Sequence, residues 1–176
     1  NRFELGHNPK SLAMHMGYFE DANEDNDNAK LRMNQFVAEK LGLSKKDNGV
    51  IVDAGCGVGG TLLYLSQQFP QCEYIGVNLS AEQIALVERN LADKENVKLL
   101  VEDYCATSLA DNSVDALYGV ESICHAENKE SFVKEAFRVL KPGGKLLMLD
   151  YIHKPINHTN ESQTQLLAFQ EGWSVK

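Results

Sequence analysis

The chain has 176 residues, with 17 Lys and Arg against 25 Asp and Glu and a formal net charge of -8. That is room for one domain, and the acidic balance argues against a protein that works by neutralising nucleic-acid phosphates. A hydrophobic content of 43% excludes wholesale disorder, no apolar run nears the ~20 residues of a membrane span, and no basic start leads into the apolar stretch of a leader peptide.

Residues 1–30 read as irregular and polar, with Asp21–Asn28 a solvated acidic loop whose last residue caps the helix that follows. Leu31, Met33, Phe36, Val37, Lys40 and Leu41 form an approximate helical stripe, and Gly42 ends it. Lys45–Gly49 is a turn. The pattern then alternates: a strand at Val50–Val52, a helix over Thr61–Phe69 stopped by Pro70, and a strand at Tyr74–Val77. Ser80 and Gln83 have the spacing of a capping box, opening a helix to about Asp93 with Ile84, Val87 and Leu91 on one face. Strands follow at Val97–Val101 and Val114–Val120, then a helix from Asn128 or Lys129 that Pro142-Gly143-Gly144 ends, a strand over Lys145–Ile152, and a helix over Glu161–Glu171. Strands alternating with amphipathic helices predict an α/β fold, a parallel sheet covered on both faces.

Cys56, Cys72, Cys105 and Cys124 are widely spaced and form no CxxC pair. They read as packing thiols rather than a zinc or disulfide framework, and free thiols in an acidic chain point to a reducing, cytoplasmic setting.

The strongest local signal is Asp53-Ala54-Gly55-Cys56-Gly57-Val58-Gly59-Gly60, placed between a predicted strand and a predicted helix. Gly55, Gly57 and Gly60 fit the dinucleotide fingerprint, in which a helix N-terminus faces a pyrophosphate. Asp53, two residues before the first glycine, would repel a pyrophosphate and suits a cation.

The spacing D-x-G-x-G-x-G resembles the first motif of the class I S-adenosylmethionine-dependent methyltransferases, whose donor carries an ammonium, a sulfonium and no phosphate. Further segments resemble that family in order over residues 50–150: Ile75–Ser80, Glu102-Asp103, Val114–Tyr118 and Phe137–Gly144. The resemblance implies a doubly wound Rossmann-like sheet and a donor site formed by Asp53, Ala54, Gly55, Gly57, Gly59, Asn78, Leu79, Gln83, Asp103, Tyr104 and Glu121. Asn78 stands where the family usually has an acid facing the ribose; its amide offers both a donor and an acceptor to the hydroxyls. Asp103 matches the acid that meets the adenine amino group, with Tyr104 beside it to cover the ring.

Met16-Gly17-Tyr18-Phe19 resembles a segment of the sterol, phosphoethanolamine, sarcosine and sugar O-methyltransferase subgroup, in which the tyrosine closes over the donor. Glu121–Ala126 resembles the loop after the fourth strand of the same relatives, without their proline and arginine. The resemblance implies His125 as general base, with Asp150 assisting and Tyr18 near the reactive end; His7, His15, His153 and His158 read as surface residues. No metal ligand set is visible.

The expected activity is methyl transfer to a small-molecule hydroxyl or amine, with S-adenosyl-L-homocysteine as product. The alternative is C-methylation of a sterol or lipid alkene, with Tyr18, Phe19, Glu121 and Tyr151 facing the carbocation. A nicotinamide-dependent oxidoreductase and a non-catalytic cofactor-binding domain are the remaining readings. Residues 1–45 are expected to cover the site, 46–152 to form the donor-binding core, and 153–176 to begin a substrate lid. The family core has seven strands in the order 3-2-1-4-5-7-6, of which five are legible here. Strand five would then be an apolar edge covered by further sequence, a dimer partner or a separate chain, the first or third being favoured.

Overall fold

The computed structural model describes residues 12–21 and 23–151. Asp25 caps the first helix, α1 (Asn26–Leu41), its side chain accepting from the amides of Asp27 and Asn28 at 3.0 and 3.3 Å. The cap therefore falls three residues before Asn28, inside the stretch read as loop. The inner face of α1 also differs from the predicted stripe: Ala29, Lys30, Asn34, Val37, Ala38 and Leu41 are buried, and Leu31 is exposed. Two of those inward positions are polar, which hid the face from a reading based on apolar periodicity.

Five strands follow: β1 (Val50–Ala54), β2 (Glu73–Asn78), β3 (Val97–Val101), β4 (Val114–Val120) and β5 (Leu140–Leu149). They form a parallel sheet in the order β3-β2-β1-β4-β5. The chain starts at the centre, runs out to β3, then crosses back to β4 and β5. The resulting switch point lies between β2, β1 and β4, where open α/β sheets leave a crevice at the carboxyl ends of their strands.

The pleat sends alternate β1 residues to opposite faces. Ile51 joins a core built with α1, α2 (Gly60–Gln68) and α3 (Ala81–Asn90). Val52 and Ala54 join a second core under α4 (Lys129–Val139), with Phe132, Ala136 and Val139. Asn128 caps α4, accepting from Glu130 and Ser131.

The last strand begins earlier than expected. Leu140 already pairs with Val114, and Lys145 pairs with Ala116, so Lys141–Gly144 bulge out of the ladder. Pro142 sits within this bulge, where it need donate no ladder hydrogen bond. β5 is the sheet edge among the described residues, with Leu146 and Met148 exposed. The helix expected over Glu161–Glu171 and the lid segment 153–176 lie outside the described residues, as do His7, His153 and His158.

Candidate functional site

A cleft of about 410 Å3 opens at the carboxyl ends of the strands. The β1–α2 turn contributes Gly55 and Gly57, the end of β2 contributes Asn78 and Leu79, and α3 contributes Gln83. Tyr104 follows β3, Glu121, Ser122, Cys124 and His125 follow β4, and Tyr151 follows β5; Met14 and His15 of the N-terminal arm close one side. A smaller cavity of about 50 Å3 shares Met14, His15, Gly55, Gly57 and Val120 with the cleft and reaches down to Asp53.

Asp53 is 4% exposed. Its Oδ2 accepts from the Tyr118 hydroxyl at 2.8 Å, and the residue lines the small cavity. Burial pushes the carboxyl up to about 7, against the pull of the Tyr118 hydrogen bond. The same burial and the neighbouring Asp53 charge raise the Cys56 thiol far above its ordinary range, so it is an inert packing group.

Asn78 is more committed than its sequence context suggests. Its Nδ2 donates to Gln83 Oε1 at 2.7 Å and to the Gly57 carbonyl at 3.2 Å, while Oδ1 accepts from the Ser80 amide at 3.1 Å. Both amide hydrogens are used, so Asn78 offers a ligand one remaining acceptor lone pair and no donor. The capping box is accordingly only half formed: Ser80 accepts from the Gln83 amide, but the Gln83 side chain turns to Asn78.

Glu121 joins three segments around the cleft. Its Oε1 accepts from the Met16 amide at 2.9 Å and its Oε2 from the Tyr151 hydroxyl at 2.8 Å. Its backbone is left-handed, φ 52°, a conformation a non-glycine residue holds only where its surroundings impose it. Tyr104 donates to the Ser122 carbonyl at 2.9 Å and packs edge-on against Phe132, so its ring is fixed in the wall.

His125 lines the cleft from a short 3-10 turn, Ile123–His125. Asp150 does not line it: its Oδ2 accepts from the Cys124 amide at 2.7 Å and its Oδ1 from the Tyr151 amide at 2.9 Å. Its carboxylate thus bonds the backbone of the turn next to His125. Four other sequence-predicted residues fall outside the lining. Tyr18 packs on Phe36 of α1 at 5.3 Å between ring centroids. Asp103 is exposed and accepts from the Cys105 amide in its own turn. Ala54 is fully buried, its carbonyl accepting from Ser122 Oγ. Gly59 faces α3, where a Cβ would lie 2.9 Å from Val87.

His15 departs from the surface position its sequence context predicts: it is buried, with Nδ1 2.9 Å from the Met16 carbonyl oxygen and Nε2 3.0 Å from Asn34 Oδ1. Thr61 Oγ1 donates to the same Asn34 oxygen, and Lys30 Nζ donates to the Ala13 carbonyl. The polar residues on the inner face of α1 thus hold the arm against the glycine turn. The visible signal was their recurrence at Lys30 and Asn34, four residues apart on one helix face.

Among the described residues no Lys or Arg lines either cavity. Among the described residues no group of three or more His, Cys, Asp or Glu could hold a metal ion, and no helix is long and apolar enough to cross a membrane. A pyrophosphate would therefore meet Asp53 and Glu121 without a cation to offset them. A ligand with an ammonium fits, because a buried carboxyl lines the cavity that would receive it.

The fold and this site define an α/β domain whose cleft at the switch point suits a ligand carrying a cation. A model of the methyltransferase domain matches residues 52–148. The chain belongs to the class I, Rossmann-like family of S-adenosylmethionine-dependent methyltransferases. It is 34% identical over 122 residues to phosphoethanolamine N-methyltransferase 1 of Arabidopsis thaliana, covering 69% of this chain and 24% of that protein. To sterol 24-C-methyltransferase of Saccharomyces cerevisiae it is 28% identical over 144 residues, covering 79% of this chain and 36% of that one. Among solved structures, the cyclase SpnF superposes with a TM-score of 0.72 at 27% identity, over 77% of this chain and 51% of that chain. The chain spans about a quarter of the length of the phosphoethanolamine relative.

Proposed function

We propose that the chain binds S-adenosyl-L-methionine along the carboxyl edge of β1, β2 and β4 and transfers its methyl group to a small neutral or cationic acceptor, a hydroxyl or an amine. The observation that carries this reading is the buried Asp53 carboxyl lining a cavity with no Lys or Arg among the described residues, a cavity that shares five lining residues with a cleft of donor size. Bound there, the donor supplies a sulfonium methyl group already activated for in-line displacement. Asp53 holds the ammonium of its amino-acid end, Asn78 accepts from the ribose, and Tyr104 and Leu79 cover apolar surface.

His125 takes the acceptor's proton onto an imidazole nitrogen, which raises the nucleophilicity of the oxygen or nitrogen that remains. Its place in the lining beside Cys124 and Glu121 supports that role, and Asp150 acts as a positioning residue through the Cys124 amide. The arm, pinned by Glu121 and Asn34, keeps water from the donor and holds the partners near contact distance. The four free cysteines support a reducing, cytoplasmic setting.

A second reading, methylation of an alkene carbon, is favoured by Glu121, Tyr151 and Tyr104, a carboxylate and two aromatic rings in one cleft wall. The relatives include proteins named for nitrogen and for carbon methylation, and the likeness to a cyclase makes turnover itself a point to measure.

Calorimetric titration with S-adenosyl-L-homocysteine and with NAD tests the ligand. Binding of the first and not the second is expected, and the reverse would overturn the reading. Turnover on hydroxyl, amine and alkene panels then assigns the acceptor. His125→Ala is expected to slow transfer to a hydroxyl by at least ~100-fold with donor affinity nearly unaltered. A pH–rate profile lacking a histidine limb would remove His125 as the base.

A further inference from the structure

We propose that Tyr118 is a positioning residue for the donor site: its hydroxyl holds one oxygen of Asp53 and so presents the other to the amino-acid end of the donor. This inference rests on the proposed donor site.

Tyr118 stands directly opposite Asp53 in the β1–β4 register, and both side chains project to the same face of the sheet. The hydroxyl donates to Asp53 Oδ2 at 2.8 Å, and the tyrosine is fully buried. The tyrosine belongs to the same buried core as Ile51, Tyr74 and Ala116, so its hydroxyl oxygen is held in place beside Asp53. A hydroxyl can bond to either form of a carboxyl, but it favours the charged form when it donates.

The groups that face Asp53 leave this task to Tyr118. The glycine turn brings the Cys56 thiol, whose charge is suppressed by burial and by Asp53 itself. The arm brings His15, whose two ring nitrogens are turned to the Met16 carbonyl and to Asn34. α2 brings Thr61, which donates to Asn34. β2 brings Tyr74, whose hydroxyl donates to the carbonyls of Leu65 and Phe69. None of these donates to the carboxylate, and among the described residues no Lys or Arg lines its cavity. Burial alone disfavours the anion that an ammonium requires; the phenol is the protein group that offsets it.

Tyr118→Phe removes only the hydroxyl and tests this directly. Affinity for S-adenosyl-L-homocysteine is read by calorimetry across pH 5.5 to 8.5, with a melting curve at each pH. The expected result is a midpoint of the pH dependence about 1–2 pH units higher than in the unmodified chain, and affinity at pH 7 about tenfold weaker. In an Asp53→Asn background the same substitution is expected to leave affinity unchanged, because the group it acts through is gone. An unshifted midpoint, or an equal loss in both backgrounds, would overturn the proposal and make Tyr118 a packing residue. Should Tyr118→Phe not fold, fluorotyrosine incorporation decides: its stronger hydroxyl donor lowers the midpoint if Tyr118 sets it and leaves it in place otherwise. Absence of binding in the unmodified chain would instead defeat the donor site itself.

Discussion

Asp53 on β1 and Glu135 on α4 are both buried carboxylates, on opposite faces of one sheet, and what separates them is a cation. Glu135 Oε1 accepts from the Thr107 amide and hydroxyl and from Arg138, and its Oε2 accepts from Arg138 Nε. Arg138 goes on to the carbonyls of Leu109 and Thr107 and to Asp111. That region ties the β3–β4 connection to α4, and the guanidinium holds the Glu135 carboxyl down at about 2. Asp53 has one phenol, and burial takes it up to about 7. A saturated carboxylate strengthens a fold, whereas an unsaturated one at the mouth of a cavity is a binding group in waiting.

The largest expected effect is in the structural region. Arg138→Ala leaves Glu135 buried with Thr107 alone and releases the connection over Thr107–Asp111. A loss of about 2–3 kcal/mol is expected, discounted because the arginine is one-third exposed. Urea unfolding measures it, and affinity for S-adenosyl-L-homocysteine should stay within about twofold, since the cluster lies outside the cleft lining. A variant that unfolds normally but loses the ligand would show that the two regions are not separate.

Asp53→Ala is the matching test on the other face. It should weaken donor binding by at least about tenfold, by removing a charge-assisted partner. Asp53→Asn should do the same while stabilising the free chain at pH 8 by on the order of 1 kcal/mol, because it removes a desolvated charge and keeps a group that can accept from Tyr118. Unchanged affinity in both variants would remove Asp53 from the site.

How far each region was legible in the sequence follows from how local its causes are. Asp53 stood out because its chemistry lies in the spacing to the glycines, and the five strands because apolar runs and turn residues mark them. Tyr118 did not, since its partner is 65 residues away and their meeting depends on the β1–β4 register. His15 was misread because the arm has no periodicity, and what buries it is Asn34 on a helix face judged by its hydrophobes. Asp103 bonds the Cys105 amide in its own turn, and Asp150 bonds the amides of Tyr151 and of Cys124, 26 residues away. Tertiary pairing places Tyr118 and His15, and one-dimensional spacing carries no record of it.

The comparison also fixes opposite signs for the response to acid. Asp53 has its folded pKa raised from 3.8 to about 7, so its contribution to stability is fully present below about pH 4 and is lost as pH rises through 7. Glu135 has its own lowered from 4.5 to about 2, so its contribution is present above about pH 4.5 and is lost as pH falls through 2. Denaturant stability measured from pH 2 to 8 should therefore flatten between 4 and 7 in Asp53→Asn, and between 2 and 4.5 in Glu135→Gln. Matching pH curves for the two variants would mean that their surroundings do not differ as described.

The smallest expected effects come from two glycines two residues apart in the same turn. Gly59 has φ 90°, and a Cβ there would lie 2.9 Å from Val87 and 3.3 Å from Leu91. Gly59→Ala should cost about 1–2 kcal/mol of stability, from backbone strain and from pushing α3 off α2. Gly57 has φ 54°, a value an alanine reaches at about 1 kcal/mol, and the nearest atom to its Cβ would be Met14 sulfur at 3.6 Å. The new methyl would project toward the arm, at the wall of the cleft rather than in the core. Gly57→Ala is therefore expected to lose ligand affinity by several-fold with the smaller loss of stability, and Gly59→Ala to lose stability while binding almost normally once folded. Paired melting and calorimetric measurements on the two variants separate these outcomes. If Gly59→Ala were the one to lose affinity, the wall of the donor site would have to be redrawn to include Gly59.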